Sequence, residues 1–144
     1  MNVLVSTGIF PNRTDGNRGV YVYKQVRALA RTNDVRVVAP VRYAPRWLKR
    51  YARFADIPRR DNVDGLDVSY PRYVVRPGIA RFLHGFFVYV CLLGEHRRRI
   101  REQRPDVVLS YFAYPYGFAA VLTALTFRLP VVVSCRGSDI NHLA

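Results

Sequence analysis

The first forty residues run strand, glycine loop, helix, strand, and no other feature of the sequence constrains the fold as much. Val3 to Val5 is an apolar run closed by Ser6, Thr7 and Gly8, which reads as a short buried strand ending in a loop. Residues 11–19 are loop by composition, with Gly16 and Gly19 just ahead of a change in period. Val22, Val26, Leu29 and Ala30 then recur at helical spacing, which predicts a helix over about Gly19 to Arg31. Asn33-Asp34 turns the chain, and Val35 to Ala39 is a second strand stopped by Pro40. Units of this kind are right-handed in nearly all proteins and pair their strands in parallel.

The alternation continues. Leu66 to Tyr70, Val107 to Tyr111 and Val131 to Ser134 predict a third, fourth and fifth strand. Residues 79–104 and 117–127 predict helices, the first ending in Arg97, Arg98, Arg99, Arg101 and Arg104 as a polar helix end. The apolar stretch from Phe82 to Leu93 is about twelve residues, short of the roughly twenty that a membrane span needs. Residues 42–60 interrupt the pattern: seven cations against Asp56, interleaved with aromatics near a 3–4 residue period, predict a short basic amphipathic helix. Asp61 to Gly65 reads as a turn. The class is α/β with a parallel sheet.

Composition narrows the rest. A chain of 144 residues that is 50% hydrophobic is neither disordered nor collagen-like, and its length suits one domain. The net charge is +13, and all of its cations but Lys24 and Lys49 are arginine. Arginine favours phosphate and carboxylate, so nucleic acid, an anionic membrane surface and phosphorylated small molecules are the partners to consider. Genomic composition accounts for an arginine excess equally well. Cys91 and Cys135 lie in no metal or redox spacing and read as reduced, buried thiols of a cytosolic protein. His84, His96 and His142 have no metal spacing, and His84, inside an apolar run, reads as a satisfied core histidine. The N-terminus reads as an opening strand rather than a signal peptide.

In open parallel sheets ligands sit beyond the C-terminal strand ends. Three loops qualify: 6–19, 111–117 and 134–141. In the first, Gly16 and Gly19 let backbone amides approach a phosphate at a helix N-terminus, or are ordinary turn glycines. The loop is neither a Walker P-loop nor a dinucleotide fingerprint. In the last, Gly137 permits a sharp turn, Ser138 or Asp139 can cap a helix, and Arg136 can hold an anion or pair with Asp139. Asp139 can also accept a proton from a hydroxyl. The aromatic loop Tyr111 to Gly117, Tyr114 included, suits either a sugar or packing.

Together, several segments resemble the N-terminal half of a GT-B glycosyltransferase of the retaining, family-four type. They are Val3 to Pro11, the glycine loop leading into Val20 to Ala30, Val35 to Pro40, Pro105 to Leu109, Tyr114 to Gly117, and Pro130 to Asn141. The resemblance implies a Rossmann-like acceptor domain over residues 1–144, incomplete, with the donor-binding C-terminal domain absent and the chain inactive alone. It implies a nucleotide-sugar donor and a hydroxyl acceptor in the cleft, hexosyl transfer, no metal or other cofactor, and no nucleic acid. Donor phosphate or substrate contacts fall to Gly16, Gly19, Tyr114, Arg136, Gly137 and Ser138, with Asp139 as the one catalytic candidate. Many relatives carry His-Gly where this chain has Arg136-Gly137. The implied location is cytoplasmic, peripheral on the inner membrane face through residues 42–60.

Overall fold

The computed structural model describes residues 1–43, 52–74 and 83–137. Its elements, in chain order, are β1 (Asn2–Thr7), α1 (Val20–Leu29), β2 (Asp34–Val38), β3 (Val41–Arg42), α2 (Ala52–Ala55), β4 (Arg60–Val63), β5 (Leu66–Ser69), β6 (Arg72–Tyr73), α3 (His84–Glu102), β7 (Val107–Tyr111), α4 (Phe118–Phe127) and β8 (Val131–Ser134). A kinked turn, Ala113–Gly117, in which Tyr114 is extended (φ −140°, ψ 140°), leads into α4.

Six strands form one sheet in the order β4-β5-β2-β1-β7-β8, and β3 pairs separately with β6. All neighbours in the large sheet are parallel except β4 and β5. Alternate residues of β1 serve opposite faces, as strand geometry requires. Val3 and Val5 pack with Val22 and Val26 of α1, whereas Leu4 packs with Ile100 of α3 and with Ala120 and Ala124 of α4. The sheet is therefore covered on both faces, which explains the continuous valine runs. Burying a valine or leucine side chain contributes about 1.5–3 kcal/mol. The two clusters supply most of the cohesion of this layer.

Five expected strands and three long helices are present, with three differences. Asp61 to Gly65 is not a turn throughout: Arg60–Val63 pairs antiparallel with β5, and the reversal is confined to Asp64 (φ 50°) and Gly65 (φ 88°). The strands do not alternate with helices throughout, because β3, the four-residue α2 and β4 stand between β2 and β5. Arg99, expected on a polar helix end, is wholly buried. The basic helix expected over 42–60 falls largely outside the described residues, which include only α2 of it. Among the described residues no helix is long and apolar enough to cross a membrane.

Candidate functional site

Strand order reverses between β1 and β7: the chain proceeds outward through β2 and β5 on one side and through β8 on the other. Ligands of open α/β sheets bind outside the strand ends at such a point. Three connections meet there, following β1, β7 and β8.

The connection after β1 is organised by its own side chains. The Thr7 hydroxyl donates to the Ile9 carbonyl at 3.1 Å. Asn12 Oδ1 accepts the backbone N–H groups of Thr14 and Asp15, each at 3.0 Å, a local turn that competes with continued secondary structure. The loop ends at Gly19, whose φ of 69° is left-handed and whose Cβ would lie 2.8 Å from the Ile9 carbonyl oxygen. Only glycine fits there. Gly19 caps α1 without a side-chain hydrogen bond, and the first turn of α1 carries no acidic residue. The backbone amides of that turn therefore present uncompensated positive ends of the helix dipole.

Beside that turn lies a pocket of about 200 Å³, lined by Ile9, Gly19, Tyr21, Val22, Phe112 and Arg136. Arg136, just beyond β8, donates to Gln25 Oε1 at 2.8 Å and lies 5.8 Å from the Tyr111 ring centre. Burial pushes the Tyr111 hydroxyl above its ordinary pKa, while the Arg136 charge acts in the opposite direction. The α1 N-terminus and Arg136, two groups that attract anions, thus flank one small cavity whose exposed lining is mostly apolar.

The aromatic connection after β7 is built by close approach. Phe112 adopts φ 73°, a left-handed conformation that is strained for a bulky residue. Its N–H donates to the Ser134 carbonyl at 3.0 Å, and its carbonyl accepts from Gly117 N–H at 2.9 Å. The Tyr116 ring rests on Gly8, where a Cβ would lie 1.9 Å from the ring. Its hydroxyl meets that of Tyr73 at 3.0 Å. Burial first, and Tyr73 second, raise the Tyr116 pKa.

Of the residues singled out in the sequence, the structure brings Gly19 and Arg136 together. Gly16 lines a different pocket, of about 480 Å³, with Asp61, Asp64 and Lys24. Tyr114 turns its hydroxyl to the first turn of α3, accepting the Gly85 N–H at 2.8 Å. Gly137 closes the described chain without lining the pocket. Ser138 and Asp139 lie outside the described residues, as does His142.

Tyr73, Tyr116 and His84 form a second group near these strand ends, which the sequence did not bring together. Tyr116 stood in the aromatic loop as a signal. Tyr73 and His84 are joined to it only by the fold. His84 is not the satisfied core histidine expected: its Nε2 has no hydrogen-bond partner among the described residues. Burial, and then the Arg42 charge, lower its pKa. The satisfied one is His96, fully buried between the hydroxyls of Ser6 and Thr123 at 3.4 and 3.1 Å. Neither cysteine is fully buried: Cys91 is half-buried and Cys135 is exposed. Among the described residues no group of three or more His, Cys, Asp or Glu could hold a metal ion.

A family model described as Glycosyl transferase 4-like domain matches residues 18–143. The chain belongs to the glycosyl transferase 4-like family. A Bacillus subtilis protein named as a teichuronic acid biosynthesis glycosyltransferase, TuaC, is 28% identical over 146 residues, covering 98% of this chain and 37% of that protein. Two solved UDP-GlcNAc 2-epimerases share the fold of this glycosyl transferase 4-like chain. That from Methanocaldococcus jannaschii has a TM-score of 0.52 at 17% identity, covering 98% of this chain and 34% of the other. That from Neisseria meningitidis, bound to UDP-GlcNAc, has a TM-score of 0.52 at 16% identity, covering 99% and 35%. The architecture is the Rossmann-like α/β unit of a GT-B fold. The chain spans between a third and two-fifths of the length of these proteins.

Proposed function

We propose that this chain is the acceptor-side part of a retaining glycosyltransferase that moves a hexosyl unit from a nucleotide sugar to a hydroxyl acceptor. One observation carries the reading: the Gly19-capped N-terminus of α1 and Arg136 meet on one pocket at the point where strand order reverses. In the reaction the bond from the sugar C1 to the diphosphate oxygen breaks, and its electron pair leaves on the diphosphate. A new bond forms from C1 to the acceptor oxygen, which gives up its proton. The α1 amides and the Arg136 guanidinium hold the negative charge that grows on the leaving diphosphate, the interaction that lowers such a barrier most. No metal or other cofactor takes part. Asp139 is the acceptor-side proton contact on this reading, with Gly137 and Ser138 shaping the loop that carries it.

A pocket of about 200 Å³ holds only part of a nucleotide sugar, since complete small-ligand sites run to roughly 300–1,000 Å³. The chain then forms one wall of a cleft, and a donor-binding half supplies the other. We assign the protein to the cytoplasmic face of a membrane. Residues 42–60 and the outward face of α3 rest on anionic lipid in this assignment. That face carries Leu83, Phe86, Phe87 and Val90, all exposed, and continues into exposed Arg97, Arg98 and Arg101.

Calorimetric titration of the 144-residue protein with nucleoside diphosphate sugars and, separately, with duplex DNA at two salt concentrations tests the reading. Binding of a nucleotide sugar, lost in Arg136→Glu, is expected, with no sugar transfer by these residues alone. DNA binding with a steep salt slope and no response to nucleotide sugars would instead make the chain a basic nucleic-acid module.

A further inference from the structure

A third cavity, of about 450 Å³, lies toward the β4 edge of the sheet and shares no residue with the pocket at the strand reversal. Four arginines line it: Arg59 just before β4, Arg60 at its start, Arg72 on β6, and Arg98 on α3. The one carboxylate in its wall is Glu95, with Pro71 and Cys91 completing it. Two of the four guanidiniums are already matched. Arg60 pairs with Asp67 and Glu102 at 3.3 and 3.2 Å. Arg98 pairs with Glu95 at 2.5 Å.

The other two are not matched by carboxylates. Arg72 is half-buried and donates to the neutral carbonyls of Tyr70, at 3.1 Å, and of Ile57. These bonds fix the plane of its guanidinium but leave its charge uncompensated. The Arg59 carbonyl accepts from Tyr70 N–H, but its guanidinium has no hydrogen-bond or ion-pair partner among the described residues, and its charge acts on Arg72 closely enough to lower the Arg72 pKa, second to burial. Two cations held side by side at a roomy cavity, one of them anchored by backbone, leave a positive potential that an anion of more than one charge relieves best. Arginine's planar fork matches phosphate oxygens bidentately.

We propose that Arg59, Arg60, Arg72 and Arg98 form a phosphate-binding pocket, separate from the glycosyl-transfer cleft, that takes a terminal phosphate or diphosphate group. Cys91 in its wall is a built-in reporter. None of its residues belongs to that cleft, although Arg59, Arg60 and Arg98 lie on the surface assigned above to anionic lipid, which the vesicle arm below separates from free phosphate.

The test uses the 144-residue protein carrying Cys135→Ser, in which Cys91 is the sole thiol. Its rate of alkylation is followed with inorganic phosphate or pyrophosphate, against sodium chloride of equal ionic strength, and with phosphatidylglycerol or phosphatidylcholine vesicles. Arg59→Glu removes the unpaired cation without touching a structural bond, and Arg59→Lys keeps its charge. Thermal unfolding of each variant checks that it is folded. Several-fold protection of Cys91 by phosphate or pyrophosphate, lost in Arg59→Glu and kept in part in Arg59→Lys, establishes a site for free phosphate. The same pattern with phosphatidylglycerol vesicles alone makes the ligand a lipid headgroup. No protection by any of these, or protection unchanged in a folded Arg59→Glu protein, overturns the proposal.

Discussion

The guanidinium of Arg99, wholly buried on α3, donates to both carboxylate oxygens of Asp67 on β5, and its Nε donates to the Ser69 hydroxyl at 2.7 Å. Glu95 and Glu102 flank it at 3.4 and 3.7 Å. The pair ties the longest helix to an outer strand of the sheet, away from the apolar contacts between α3 and α4. Arg99→Ala leaves these carboxylates facing one another around an empty volume. Breaking a fully buried pair costs about 3–5 kcal/mol, and the side chain of Asp67 is 41% exposed, so a loss of about 2–3 kcal/mol is expected by chemical denaturation. Arg99→Met, which keeps the volume while Asp67 turns to water, is expected to lose less. Equal losses in the two variants would assign the effect to something other than cavity and charge together.

Stability should depend on pH in two separate windows. Burial holds His96 down to about 4, against a smaller opposing pull from Glu95. An unfolded histidine binds its proton near 6.5, so the native state is fully favoured above that value and loses stability as pH falls from 6.5 to about 4. The loss amounts to about 3 kcal/mol. Asp67 is held below its ordinary pKa, chiefly by its hydrogen bond from Arg99, so its contribution disappears only at still lower pH. Unfolding free energies measured at pH 7.5 and pH 5 should converge in His96→Gln, and those below pH 4 should flatten in Asp67→Asn.

The glycines near the cleft should rank by geometry. Gly16 has open space at its Cβ position, so Gly16→Ala is expected to be close to neutral. Gly19→Ala is expected to cost about 1–3 kcal/mol, because left-handed backbone and close approach to Ile9 both oppose a side chain. Gly8→Ala should cost at least as much, because the Tyr116 ring must leave its place. Denaturant midpoints of the three variants check the order.

Flotation with anionic vesicles checks the membrane assignment. Arg46→Glu, Arg50→Glu and Arg53→Glu together should abolish recovery in the floated fraction, and Phe86→Ser with Phe87→Ser should weaken it. Binding that survives the triple charge reversal would remove residues 42–60 from the contact.

The sheet was largely legible because its parallel strands are buried on both faces and so stand out as valine runs. Edge strand β4, Arg-Asp-Asn-Val, has one face against the molecule and a polar sequence, and it took shape as a strand only through pairing with β5. Arg99 and His96 were hidden for a related reason. They sit in the run Glu95-His96-Arg97-Arg98-Arg99, whose composition reads as solvated, and partners 27 to 90 residues away in sequence make burial favourable. At the cleft, Gly19 and Arg136 were legible because both flank strand ends. The diversion of Tyr114 to α3 was not, since it depends on how α3 packs on the turn after β7.

The central claim is that the α1 N-terminus and Arg136 together hold a nucleotide-sugar diphosphate. Its most direct test follows the backbone amides of Val20, Tyr21 and Val22 by NMR during titration with a nucleoside diphosphate hexose. Saturable shifts confined to these amides and to their neighbours around Phe112 and Arg136 are expected, as is their disappearance in a folded Arg136→Glu protein. Amides that do not move, or that move equally in Arg136→Glu, would contradict the claim.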